Sequence, residues 1–528
     1  MADPHGYLMM VFHAHLPYVR HPEHEEFLEE DWLYEAITET YVPFLKMLEG
    51  FERDGVAACF TMSMTPPLCE MLADKLLQDR YENKLRRLQE LNILELKRTQ
   101  GTPFYETAVM YKGLLQNCRE TMDRWGRNLV NGFRHYQDKG LVDIMTCGAT
   151  HGYLPLMVTE SSARAQIQVA RANYRKHFGR DPKGIWLPEC AFAPGIDRYL
   201  REAGIEYFFL DTHGVSFGTP RPRYGPFRPV FTPHGAAAFA RDVESSKQVW
   251  SRDEGYPGDF DYREFYRDLG YDSDYAYVRP FLHKDGVRRN TGLKYHRITG
   301  RVALGEKQPY NPHVAKERTA SHAGNFMHNR QNQAKWLKGV LGAEPCIVAP
   351  YDAELFGHWW FEGPWFLDYL MRKTVYDQTD IALSTPLRFL ERYNRHQVVE
   401  PCASSWGDKG YYEVWLNGSN DWIYRHLHAS EVRMQDLVRR FPNPDPLQER
   451  ALKQAARELL LAQASDWAFI MTMGTMVAYA EKRTRDHLHR FNGLYLQLLE
   501  GRLEEPWLGE LEWKDNIFQE VDYRVYGS

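Results

Sequence analysis

The chain has 528 residues, 43% hydrophobic and 14% aromatic, enough for a large core and for one large domain with at least one smaller one beside it. Sixty-five basic against seventy-one acidic residues leave a formal charge of -6, which excludes the basic surface of a nucleic-acid-binding protein and points to a neutral partner. No stretch reaches the roughly 20 apolar residues that span a bilayer, and Met1-Ala2-Asp3-Pro4-His5 lacks the basic start of a secretory leader.

The seven cysteines stand singly, without a CxxC pair, as free thiols do in a reducing compartment. A soluble, cytoplasmic protein is expected. Fourteen Trp and thirty-two Tyr suit stacking on sugar rings, although the same residues serve equally well as core.

In chain order, Tyr7-Leu8-Met9-Met10-Val11-Phe12 is a continuous apolar run that reads as a buried strand and leads into His13-Ala14-His15-Leu16-Pro17. Side chains alternate along a strand, so His13 and His15 face the same way at its end. Residues 31–52 read as helix, 57–62 as a second strand closed by Pro66-Pro67, and 68–139 as charged helices interrupted at Gly101-Thr102-Pro103. A third strand over 142–147 runs into Gly148-Ala149-Thr150-His151-Gly152-Tyr153.

The fourth strand, Gly184-Ile185-Trp186-Leu187, stops at Pro188-Glu189, which places Glu189 at a carboxyl-end rim where parallel α/β enzymes keep their chemistry. A fifth over 205–211 ends at Asp211-Thr212-His213. The aperiodic, Gly-, Pro- and Arg-rich stretch 214–234 reads as a loop that is either functional or disordered. Short extended pieces are expected over 235–241 and 248–250, an aromatic irregular segment over 259–312, and a helix over 312–339. Cys346-Ile347-Val348-Ala349-Pro350-Tyr351 is the last strong strand, and Asp352 follows it as Glu189 follows the fourth. After about residue 385 the pattern turns helical, over 429–441, 446–473 and 475–501. Alternating strands and long helices before that point favour a parallel barrel.

Two rim carboxylates, Glu189 and Asp352, are the minimum equipment for glycoside chemistry if their strands meet; two structural rim acids are the alternative. His13, His15, His151 and His213 each end a strand, which suits either a metal site or a rim that binds sugar hydroxyls. Leu452, Ala455, Leu459, Gln463, Asp466 and Ile470 keep a three-to-four spacing, so Asp466 falls on the inward stripe of a helix and needs an arginine or a ligand. Trp406 and Trp415, in a Gly-rich segment, read either as stacking platforms or as domain packing.

Together these stretches resemble glycoside hydrolase family 57: His13-Ala14-His15-Leu16-Pro17, Gly148-Ala149-Thr150-His151-Gly152-Tyr153, Trp186-Leu187-Pro188-Glu189, Tyr351-Asp352-Ala353-Glu354-Leu355-Phe356-Gly357-His358-Trp359 and Ala464-Ser465-Asp466-Trp467. The motifs span nearly the whole chain in the family's order, and within the family it looks most like 1,4-α-glucan branching enzymes. The resemblance implies an α/β fold: a seven-stranded (β/α) barrel over 1–390 with a small insert near 190–235, and an α-helical C-terminal domain over 391–528 completing the site. It implies Glu189 as nucleophile and Asp352 as proton donor and general base of a retaining transfer to a 6-hydroxyl. It further implies glucan contacts at Arg241, Gly258, Trp406, Asp466, His13, His15, His151, Trp250 and Trp415, and a lid tyrosine at Tyr224. Donor and acceptor would be α-1,4-glucan, with no cofactor or metal, in a monomer or weak homo-oligomer. The short connection from Ala191 to Arg198 departs from some relatives. Competing readings are a 4-α-glucanotransferase or amylase-type hydrolase on the same site, a metal-dependent hydrolase using His13 and His15, and a glucan-binding protein without turnover.

Overall fold

Strand β1 (Gly6–Ala14) is buried along its whole length and has neighbours on both edges, as its unbroken apolar run requires. β8 (Cys346–Asp352) lies parallel to it from Tyr7–Cys346 to His13–Asp352. On the other edge β2 (Phe60–Met64) pairs with the upper half of β1 from Val11–Thr61 to Ala14–Met64, and β9 (Ile381–Leu383) with the lower end from Gly6–Ile381 to Leu8–Leu383. β3 (Val142–Met145) continues the sheet beyond β2. The computed structural model describes residues 3–250 and 255–527.

A second sheet has the order β4 (Gly184–Ile185), β5 (Tyr207–Leu210), β7 (Ala237–Ala240) and β6 (Val230–Phe231), parallel except for β6. The two sheets touch at both ends. Thr146 N donates to Gly184 O at 3.1 Å and Trp186 N to Thr146 O at 2.8 Å, joining β3 to β4. Asp242 N, just past β7, donates to Val348 O of β8 at 2.8 Å. Parallel strands tied in this way end on one rim, so His13, Glu189, Asp211, Arg241 and Asp352 all emerge from the same face.

Most expected elements are present with small shifts. Residues 248–250 are not extended; they end the helix Val243–Trp250, whose Ser245, Ser246 and Val249 keep a helical spacing toward the core. β9 went unexpected, being three residues long and stable only because β1 offers it an open edge. Residues 255–311 form short turns packed on the helices Lys75–Arg98 and Tyr105–Arg124, where Leu91, Ala108 and Tyr111 meet Leu269, Val278 and Tyr295.

Among the described residues the C-terminal region holds five α-helices: Trp422–Arg440, Pro446–Ala462, Ser465–Met473, Val477–Glu500 and Glu505–Lys514. The second is fixed at its start by Asp445, which caps it with Gln448 in a reciprocal box, an arrangement worth about 1 kcal/mol. The single helix expected over 446–473 is broken at Gln463-Ala464, where Ala464 takes an extended conformation. The break lets this backbone pair with the segment that follows β3: Gly152 bridges Ala464, and Ser465 N donates to His151 O at 3.0 Å. No helix among the described residues is long and apolar enough to cross a membrane.

Candidate active site

Glu189 sits in a tight turn after β4 with φ of +61°, followed by Cys190 at +50°, and His151 at the end of the β3 segment has +59°. Left-handed backbone at bulky residues costs on the order of 1–3 kcal/mol each and persists only where the surroundings impose it. Here they do. Cys190 N donates to Leu187 O at 2.8 Å, Trp406 N to Glu189 O at 3.0 Å, and Phe192 and Ser404 bridge each other's backbone. The turn aims the Glu189 side chain at the rim instead of along the strand.

Glu189 and Asp352 are chemically unequal. One Glu189 oxygen accepts from Trp406 Nε1 at 2.9 Å and the other from Ser465 Oγ at 3.0 Å. Burial pushes its carboxyl up to about 7; the Trp406 and Ser465 hydrogen bonds oppose that, and the charge of Asp466 adds to it. Asp352 is also raised to about 7, by burial first and then by the charge of Glu189, and receives no hydrogen bond from the described residues. Two donors stabilise the ionised form of Glu189 and none that of Asp352, so a proton shared by the pair resides on Asp352.

A directed chain of hydrogen bonds ends on Glu189. Ser465 donates its only proton to Glu189, so His151 Nδ1–H must donate to Ser465 Oγ, 2.8 Å away. Burial holds the His151 imidazole neutral, with the charge of His15 acting in the same direction. Its Nε2 is therefore an acceptor, to which His13 Nε2–H donates at 2.9 Å. His13, also kept neutral by burial, accepts at Nδ1 from Ser63 Oγ at 2.6 Å. Both tautomers follow from this order, and each imidazole lone pair is engaged. The His13–Cys147–His151 cluster, close enough for a metal, thus offers no free imidazole donor.

His15 stacks on His151 with ring centroids 3.8 Å apart and pairs with Asp466 at 3.0 Å. Burial opposes a charge on His15, but Asp466, Glu189 and Glu354 outweigh it and raise its pKa. Glu354, itself raised to about 7 by burial, accepts from Tyr41 OH at 2.5 Å and His15 N at 3.2 Å. Trp186 lies flat on His13 at 4.9 Å and edge-on to Trp406 at 4.9 Å. Arg241 donates to Asp211 at 3.2 Å and Ser246 at 2.9 Å, and its charge reaches Asp352.

The structure thus brings Glu189, Asp352, His13, His15, His151, Trp406, Asp466 and Arg241 to one rim. Asp466 arrives there from the first turn of Ser465–Met473, not from the stripe of a continuous helix as its spacing suggested. Trp415 is 1% exposed, lies against Tyr153 at 4.9 Å and closes on Gly407, so it packs beneath the Trp406 segment and offers no open stacking face. His213 bonds Gly410 O and Asp211, tying β5 to that segment. Three positions stand apart. Trp250 is exposed at a helix end, Gly258 lies in the Tyr256–Gly258 turn whose Tyr256 bonds Asn325, and Tyr224 lies beside Arg223 and Arg228. Arg228 donates to Glu344 O, at the end of β8 opposite Asp352. Ser465, Ser63, Trp186 and Glu354 were not singled out from sequence, although all but Ser63 lie inside quoted motifs.

A buried, unequal carboxylate pair at the carboxyl-end rim of parallel strands, walled by imidazoles and indoles, defines a sugar-processing α/β enzyme. The chain belongs to glycosyl hydrolase family 57, whose model matches residues 9–401. A second model, described as 1,4-alpha-glucan branching enzyme, C-terminal, matches residues 426–526. The chain is 37% identical to a 1,4-alpha-glucan branching enzyme of Thermococcus kodakarensis over 99% of its own length and 79% of the relative's. Among solved structures it is similar to one described as a novel alpha-amylase, AmyC, from Thermotoga maritima, with 46% identity, 99% of each chain covered and a TM-score of 0.93. It is also similar to a GH57-type branching enzyme from Pyrococcus horikoshii, with 35% identity, 99% and 97% covered and a TM-score of 0.89.

Proposed function

We propose that this chain is a retaining 1,4-α-glucan branching enzyme, with Glu189 as nucleophile and Asp352 as acid and base. The observation that carries the roles is the unequal hydrogen bonding of the pair. The anionic Glu189 attacks the anomeric carbon while Asp352 gives its proton to the departing O4, leaving a glucosyl ester and a shortened chain. Asp352, now a carboxylate, takes the proton of an acceptor 6-hydroxyl, whose oxygen displaces Glu189 and closes an α-1,6 bond. The net reaction exchanges one glycosidic bond for another and needs no cofactor.

In this reading Trp406, Asp466, His13, His15, His151 and Arg241 contact the glucan around the cleaved bond. Trp415 supports the Trp406 segment from below. Gly258 and Trp250 would serve a more distant part of the chain, and Tyr224 acts as a lid only if its loop swings over the rim. The two sheets, joined at β3–β4 and β7–β8, support one seven-stranded barrel formed by β1, β2, β3, β4, β5, β7 and β8. We take 1–390 as the catalytic domain and 391–528 as the helical domain that lends it Trp406, Ser465 and Asp466. A cytoplasmic location fits the buried free thiols.

A second reading, hydrolysis, is favoured by the likeness to AmyC. Incubation with amylose, followed by debranching of half the product with an isoamylase, separates them. Branching gives many reducing ends only after debranching. Hydrolysis gives them before it, and a 4-α-glucanotransferase gives redistributed linear chains. Glu189→Gln is expected to remove at least about a thousandfold of the activity in each case.

A further inference from the structure

We propose a second α-glucan site on the outer wall of the barrel, in the cleft of about 490 Å³ that runs from Arg241 to Trp336. This rests on the glucan reading of the active site and names where the polymer continues beyond it. One wall is the loop residue Phe227; the other is a single face of the helix Pro312–Leu341, bearing Asn329, Asn332, Gln333 and Trp336. Positions three, four and seven apart share a helix face, so these four residues line about 10 Å of groove.

The chemistry of the walls selects the ligand class. The charged groups are already paired: Arg330 donates to Asp242 at 3.2 Å and Glu244 at 2.6 Å, and Arg241 to Asp211. An ionic ligand would find no unengaged counter-charge there. Beside the apolar Pro226, Phe227, Val243 and Leu337, the helix wall presents amide and indole. Asn329 and Asn332 use their side-chain nitrogens on Asn325 and His328, which leaves both carbonyl oxygens free to accept hydroxyl protons. Gln333 Nε2 donates to Asp242 at 2.9 Å, while its Oε1 is buried without a partner among the described residues. Trp336 is 66% exposed at the far lip, beside the equally exposed Val340. A buried acceptor lacking a donor, two open amide carbonyls and a bare indole face suit a neutral polyhydroxylated chain.

The position selects the role. Arg241 lines the inner end of the cleft and its charge reaches Asp352, so the groove starts where the catalytic rim stops. A glucan strand that leaves the cleavage point past Arg241 enters it and reaches Trp336.

Affinity electrophoresis through glycogen, in the Glu189→Gln background so that polymer is not consumed, tests this directly. Adding Trp336→Ala is expected to weaken retention roughly five- to tenfold, the scale of one lost stacking contact, and Trp336→Phe to restore most of it. In the active enzyme Trp336→Ala is expected to raise KM for long amylose by a similar factor, leaving kcat and the KM for short maltooligosaccharides unchanged. Unchanged retention and KM overturn the second site while branching by the parent enzyme stands. Failure of the parent to act on any α-glucan overturns the reading on which the site rests. If Trp336→Ala unfolds, Asn332→Ala, at an exposed helical position, carries the same comparison.

Discussion

Ser465 is the residue that most repays a closer look. It reaches Glu189 from the C-terminal helices, donates to the carboxylate, and is held for that task by His151. Removing the donor destabilises the anion, so Ser465→Ala is expected to raise the Glu189 pKa, move the acid limb of the kcat/KM–pH profile upward, and lower kcat about ten- to a hundredfold. Ser465→Thr keeps the hydroxyl and is expected to restore the limb. An unmoved limb in Ser465→Ala would reduce the serine to packing. The wild-type profile is expected to be bell-shaped about neutrality, because the proposed roles need an ionised Glu189 and a protonated Asp352, both raised to about 7.

Between residues and whole domains, the loop after β8 shows how tightly the rim is built. Gly357 has φ of +115°, and a Cβ there would lie 1.8 Å from Glu39 O. Glu39 belongs to the π-turn Ile37–Tyr41, which also supplies Tyr41 to Glu354, and its carboxylate holds Arg263 at 2.7 Å and His358 at 2.9 Å. Gly357→Ala therefore strains the backbone and separates two segments whose contacts fix the Asp352 loop. It is expected to destabilise the protein by more than about 2 kcal/mol and to depress activity further than the unfolded fraction explains. Thermal unfolding alongside kcat checks both parts.

Across the molecule, buried carboxylates with raised pKa values couple stability to pH. Glu189, Asp352, Glu354 and, far from the site, Glu458 are each raised to about 7, chiefly by burial. A carboxyl whose folded pKa exceeds its unfolded value binds its proton more tightly when folded, so its stabilising share is complete below the unfolded pKa of 4.5 or 3.8 and disappears as pH rises through 7. Tm is expected to fall between pH 6 and 8. Glu458 lies in a closed network with His487 at 2.7 Å and Gln454 at 2.8 Å, and contributes on the order of 1 kcal/mol of that change, the rest of its share being lost at lower pH. Glu458→Gln is expected to flatten the slope, and an equal slope in the variant would remove Glu458 from the account.

Much of this was legible in the chain alone. Unbroken apolar runs such as Tyr7 to Phe12 dictate strands buried on both faces, and the first polar residue after each run marks its end, with Pro188 closing the run before Glu189, so the positions of His13, Glu189 and Asp352 at strand ends follow from local physics. What the sequence could not determine depends on which distant segments meet. The spacing 452–470 reads as one helix because periodicity is blind to Ala464 leaving it to pair with Gly152, a contact across more than 300 residues. That break delivers Ser465 and Asp466 to Glu189. Trp406 and Trp415 lie in the same Gly-rich segment, yet one hydrogen-bonds Glu189 and the other is sealed beneath Gly407. Strand ends are set by neighbours in sequence. Tautomers, the seat of the shared proton and the run of an outer groove are set by neighbours in space, and only folding chooses those.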